Sequence, residues 1–361
     1  MQTPSKPWRS SHPAPHRLDI LCLLHNTPCL EILHLHRLSH RQGPPINELW
    51  QAAPLHVELP SLRSLVFTHC AYKPVMGVLD GLSLPPRTLV RLDNLYIPFN
   101  SEYPAPIPRS LNELLGGITT MQFAVDKEML FLVVEGGSPE SGFWLRVRHE
   151  ANTFWSHWLS GLHAMMPLGN LTSLHIDLYD PFVLIVLSHM TQLSDLFVLL
   201  EPDKVDEERV RINALVPRVA TFCSVLSQSQ PVACPSLRSL VLEWRGDTLT
   251  YLEDLGVPDI VAMLSSRASF GHPIRRLVIQ AIQASGAESG STLRSYFSEQ
   301  LSPLAGHVEE FEECVDGDAH VCAFEMREMW NVTGAEDYWC VNERQRPRYI
   351  PLWSYDYSFT S

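Results

Sequence analysis

Leucine and its apolar equivalents recur along this chain in the spacing Leu-x-x-Leu-x-Leu. The sharpest instance is a heptamer, Pro-Ser-Leu-Arg-Ser-Leu-Val, that occurs twice, at Pro60–Val66 and Pro235–Val241. The last two apolar positions of a unit lie two apart, so they share one face of a short strand, and the first leucine leads the chain into it. Units begin at Leu30, Leu62, Leu92, Leu171, Leu193, Leu237, Ile274 and, in degraded form, Val308. Between them the apolar residues fall at helical spacing. Helices are predicted from Leu21 to near Pro28, over Glu48–Ala53, Val75–Leu82, Leu111–Leu115, Phe154–Leu162, Phe182–Met190, Val219–Leu226, Ile260–Leu264 and Leu293–Leu301. Asp180 and Pro181 supply an N-cap and a first-turn proline for the helix that follows them.

Strand and helix alternating at an irregular period predict an α/β fold: an irregular leucine-rich-repeat solenoid of short parallel strands alternating with helices. Cys70 falls where the repeat consensus places Asn or Cys. The segment near 121–148 departs from the pattern. Leu130, Leu132 and Val134 alternate, a Gly-Gly-Ser-Pro-Glu-Ser-Gly run turns the chain, and Phe143, Leu145 and Val147 alternate again. This reads as an all-strand, hairpin-like insertion. The organisation expected is a flexible N-terminal tail over 1–17, a solenoid over 18–325, and a leucine-poor, aromatic C-terminal cap or tail over 326–361.

Composition adds to this without overturning it. With 361 residues, 45% of them hydrophobic, the chain can fill a large core. The 28 prolines are spread out and punctuate short elements. The net charge of −13 is concentrated between Glu299 and Glu343, where twelve acidic residues face one basic residue, Arg327. An acidic face of that kind is solvated or meets a basic partner. No basic stripe interleaved with aromatics appears, so no nucleic-acid partner is expected. No apolar run approaches the length of a membrane span, and Leu18–Leu24 is too short for a signal core. The eight cysteines are scattered without a C-x-x-C pair, mostly in apolar segments. A reducing compartment, cytoplasmic or nuclear, is the expectation.

The sequence contains no G-x-S-x-G, no G-x-x-x-x-G-K-[ST], no G-x-G-x-x-G after a strand and no H-E-x-x-H. His34 and His36 share a strand face near His40, but no neighbouring strand offers the further ligands a metal would need. Glu309, Glu310, Glu312 and Glu313 lack an apolar enclosure and read as a solvated face. No catalytic residue, cofactor or metal is expected. What a repeat array offers is a surface. The residues between the core leucines point away from the helices, and a protein partner is expected on that concave sheet face. Its candidate contacts are His34, His36, Val66, Thr68, His175, Asp177, Phe197, Leu199, Val241, Glu243, Arg276 and Gln280, with an apolar centre at Phe197, Leu199 and Val241.

The strand starts of Pro60–Cys70 and Pro235–Trp244, the LSLPPRTLVRL segment at Leu82–Leu92 and the irregular repeat with an all-strand insertion resemble the C-terminal part of the basidiomycete fungal F-box family. The likeness spans Leu18 to Cys314 and is sharp only in the heptamer. It implies substrate recognition in a cullin-type ubiquitin ligase, with the repeats holding the substrate. It also implies an F-box, a helical segment opening with a Leu-Pro-type motif ahead of the repeats. Only seventeen residues, mostly polar, precede Leu18. The ligase adaptor is therefore expected as a partner only if an F-box is missing from this chain. The alternative expectation is a free-standing leucine-rich-repeat scaffold with no ubiquitin link.

Overall fold

The computed structural model describes residues 17–38, 56–97, 109–125, 129–136, 141–149, 158–177, 181–200, 219–246, 256–283 and 290–315. The helix expected over Glu48–Ala53, the tail before Arg17 and the aromatic segment 326–361 lie outside these residues.

Among the described residues, eleven strands form one open, mostly parallel sheet. In chain order they are β1 (Ile32–His36), β3 (Ser64–Thr68), β5 (Leu89–Ile97), β6 (Ile118–Val125), β7 (Met129–Gly136), β8 (Gly142–His149), β9 (Ser173–Asp177), β10 (Asp195–Leu200), β11 (Ser239–Gly246), β12 (Arg276–Gln283) and β13 (Glu310–Val315). A separate parallel pair joins β2 (Val57–Glu58) to β4 (Leu82–Ser83). In space the large sheet runs β1-β3-β5-β8-β7-β6-β9-β10-β11-β12-β13. Only β7 runs against its neighbours. The expected insertion is therefore three strands of the same sheet rather than a separate hairpin. Both β6 and β8 keep the common direction, pairing parallel to β9 and β5.

The leucine spacing translates directly into register. Leu33 pairs with Leu65, and Leu35 with Phe67. Leu174, Leu196, Leu240 and Leu277 form one row, and Ile176, Val198, Leu242 and Ile279 form the next. The two residues after each leading leucine also have a fixed task. The N–H groups of Arg63 and Ser64 both donate to the Glu31 carbonyl, at 2.8 and 3.1 Å. Ser194 and Asp195 do the same to Thr172, Arg238 and Ser239 to Ser194, Arg275 and Arg276 to Arg238, and Glu309 and Glu310 to Arg275. Each of these five units thus hangs two donors on one carbonyl of the unit before it, which satisfies backbone groups at the strand entrance.

One unit is out of the expected phase. Leu92 pairs with Phe67, and Val90 with Leu65, so the unit containing β5 begins at Arg87 rather than Leu92. Its leading position holds an exposed arginine, and Thr88 compensates by donating Oγ1 to the Leu62 carbonyl at 3.0 Å. The apparent Leu92-x-x-Leu95 start is the tail of the unit. The link is a left-handed residue: Arg37, His69 and Asn94 have φ of 58°, 54° and 52° at equivalent positions after β1, β3 and within β5. That step consumes an extra residue and returns Leu38, Cys70 and Leu95 to the core. Cys70 then accepts the Leu38 N–H at Sγ, 3.3 Å, and donates to the Thr68 carbonyl at 3.2 Å.

Helices cover one face. They are α1 (Arg17–His25), α2 (Tyr72–Leu79), α3 (Asn112–Leu115), α4 (Leu162–Met165), α5 (Val257–Ser269) and α6 (Gly290–Ala305), with further helical turns at 158–160 and 219–226. Each adds its buried apolar side chains to a core shared with the leucine rows. The helix expected over Phe182–Met190 is a 3-10 helix, Pro181–His189. Its buried residues Leu184 and Leu187 and the following Met190 are three apart, the repeat of a 3-10 turn rather than an α-turn. Arg267 of α5 is wholly buried and binds the 226–234 segment, donating to the carbonyls of Leu226, Ala233 and Cys234 at 3.2, 2.9 and 2.9 Å. Among the described residues no helix is long and apolar enough to cross a membrane.

Candidate binding face of the sheet

The strand period of two sends every second side chain to the face away from the helices. Among the described residues each helix packs on the other face, so this one is built from strand side chains. All twelve residues expected there occupy it. Their exposure is uneven. His34 and His36 are exposed, Thr68, His175, Phe197 and Arg276 are half-buried, and Val66, Asp177, Leu199, Val241, Glu243 and Gln280 are buried.

Toward β13 the register aligns His175, Phe197, Val241, Val278 and Glu312 in one row, and Asp177, Leu199, Glu243, Gln280 and Cys314 in the next. The His175 ring stacks on Phe197 with centroids 4.1 Å apart and an interplanar angle of 23°. Val241, Val278, Cys314 and Phe197 form an apolar cluster separate from the main core. Gln280 beside it is 0% exposed, and among the described residues neither amide atom has a hydrogen-bond partner. A buried primary amide left unsatisfied costs free energy. Arg276 reaches across to Glu312 at 3.0 Å and ties the end of the face together.

A second cluster, between β3 and β7, escaped the sequence reading because of the phase of β5. The outward residues of that strand include Arg91 and Asp93, in register with Val66 and Thr68. Arg91 and Arg146 both pair with Asp93, at 2.7 and 2.6 Å. Both guanidiniums also lie over Trp144, 4.8 and 5.7 Å from its ring centre, and Phe131 meets that ring edge-on at 5.5 Å. Stacking on a buried indole holds the planar forks in place. Nearby, the Asn94 amide lies 2.7 Å from His69 Nδ1, and His36 Nδ1 lies 2.8 Å from the Thr68 hydroxyl. Partial desolvation lowers the His69 pKa, offset by Asp93 and reinforced by His36, Arg146 and Arg37. The alternation of Arg91, Asp93 and of Trp144, Arg146, Arg148 was the available signal, since charges two apart in an apolar strand mark a common face.

Among the described residues no three His, Cys, Asp or Glu side chains converge as a metal site would require. Burial pushes the Cys223 and Cys234 thiols up to about 12, away from a nucleophilic thiolate near neutral pH. What the face presents is an apolar-aromatic strip on β9–β12 next to an arginine-aromatic cluster on β5 and β8. Neither the protein-family models nor the curated proteins compared with this chain match it.

Proposed function

We propose that the chain is an irregular leucine-rich-repeat solenoid that binds a protein on its helix-free face and carries out no chemistry of its own. The observation that carries this reading is the strip on β9–β12. There the stacked pair His175 and Phe197 keeps surface open to solvent and adjoins an apolar cluster and the unsatisfied Gln280 amide. Apolar side chains beside a polar group in want of a partner suit a polypeptide, which brings side chains and main-chain amides together.

The role we favour is substrate recognition in an F-box-like ubiquitin-ligase setting in the cytoplasm or nucleus. Its support is the resemblance of the strand starts, and a fold-level likeness of this kind is an analogy. The adaptor is a partner only if an F-box is missing from this chain. The second reading is a free-standing scaffold. Affinity isolation with the wild-type chain and with Phe197→Asp, followed by mass spectrometry, separates these readings. Loss of a specific protein by about tenfold or more in the variant, with an unchanged circular-dichroism spectrum, is the expected result. Equal recovery by both forms would remove the face from consideration. Adaptor and cullin subunits in the wild-type eluate select the ligase setting, and a retained partner without them selects the scaffold.

A further inference from the structure

The two ends of the sheet are guarded differently. At one end β13 and the residue before it carry Glu309, Glu310, Glu312 and Glu313, charges that keep another strand from adding to an edge. At the other end β1 reads Ile-Leu-His-Leu-His, with no acidic residue, no lysine or arginine, no proline and no bulge. It is also open. Ile32 is 41% exposed, His34 and His36 are exposed, and Leu33 and Leu35 are only partly buried although they face the helices. Leu23 of α1, in the helix layer at the same end, is 63% exposed.

The backbone of β1 is disposed for a second partner. Its bonds to β3 run through alternate residues: the Ser64 N–H donates to the Glu31 carbonyl, and the Arg37 N–H to the Thr68 carbonyl. The alternation of a parallel ladder then turns the N–H and C=O groups of Ile32, His34 and His36 outward, where no described strand meets them.

We infer that this chain forms a twofold dimer by antiparallel pairing of β1 with β1 of a second copy, about an axis at His34. In that register His34 faces His34 of the other copy, and Ile32 faces its His36. These are the residues whose backbone groups point outward, so every one of them finds a partner. Leu33 faces the other copy's Leu35 in the closer, non-hydrogen-bonded pairs, with both leucines on the helix side. The axis stands perpendicular to the sheet, so the helix layers of the two copies lie on the same side and their α1 helices come to the same junction. The strand is self-complementary: apolar meets apolar on the helix side, and no like charge is forced against itself. A twofold contact closes, which limits the assembly to two. This interface is separate from the binding face, so its failure would leave the protein-binding reading standing.

The test is the mass of the full chain in solution at about 50 µM, where a dimer of micromolar Kd is mostly assembled. Light scattering after size exclusion should give twice the 40.9 kDa of one chain. His34→Pro removes an outward N–H and blocks the edge while leaving the bonds from β1 to β3 intact, so it should weaken the dimer by at least about tenfold. The register is read by oxidation. His34→Cys should crosslink to itself above the wild-type background, whereas Ile32→Cys, four residues from its own copy across the axis, should not. A wild-type monomer, or a dimer that His34→Pro leaves at full strength, would overturn the proposal. Efficient self-crosslinking of Ile32→Cys would overturn the register.

Discussion

The side chain with most to reveal is Gln280, because its burial and its chemistry conflict. Replacing it with methionine keeps the volume and removes two polar atoms without a hydrogen-bond partner among the described residues. Gln280→Met is therefore expected to stabilise the protein by about 1–2 kcal/mol, read as a higher denaturation midpoint in urea. If the amide serves recognition, the same variant should bind the partner of the helix-free face less tightly, a trade of stability against function. A loss of stability would show that Gln280 is satisfied by an ordered water. At this scale the sequence was informative about direction and weak on exposure. The twelve candidate residues occupy the expected face because strand alternation is strict. That Val241 and Glu243 are wholly buried while Phe197 is partly open could not be read from spacing, since burial depends on what lies over a residue.

Among the elements, β5 shows how a strong local pattern misleads. Leu92-x-x-Leu95-x-Ile97 fits the repeat as well as the heptamer does, yet the neighbouring strand fixes the phase at Val90 and Leu92. Register belongs to pairs of strands, and one strand carries only half the information. The cost of that phase error was the Arg91, Asp93 and Trp144 cluster. The 3-10 helix Pro181–His189 was misread for a related reason, since apolar residues crowd most of its length and no single period stands out. The reach of α5 was silent in sequence. The guanidinium of Arg267 holds three carbonyls of the 226–234 segment. Arg267→Met should cost about 3 kcal/mol or more, because the carbonyls lose their donors without water to replace them. Lysine should rescue little, since a single ammonium cannot match a planar fork. Thermal denaturation of the two variants checks both statements.

For the whole molecule, titration sums over groups that pull in opposite directions. Burial, reinforced by the stacked His163 ring at 4.0 Å, lowers the His189 pKa below 6.5, and burial lowers His69 likewise. The unfolded chain then binds more protons, so this contribution is full above pH 6.5 and fades as the pH falls toward the folded values. Burial instead raises Glu313 and Glu135 above 4.5, so the folded chain takes up those protons first and regains stability as acidification continues. Urea midpoints measured from pH 7.5 down should therefore fall first and then level. His189→Gln should reduce the fall, and Glu313→Gln should remove part of the levelling. The reverse order would contradict the assignment.

The three strands β6, β7 and β8 carry a consequence of parity. Because β7 alone is reversed, the sheet enters and leaves this group pointing the same way. The group is thus a cassette: excised whole, it would leave β5 and β9 with matching sense, ready to meet as parallel neighbours. Trp144 and Arg146 ride on the cassette and Arg91 and Asp93 on its border. A lineage of such chains can therefore exchange Trp144 and Arg146 as one piece, while the leucine rows on either side keep their grammar.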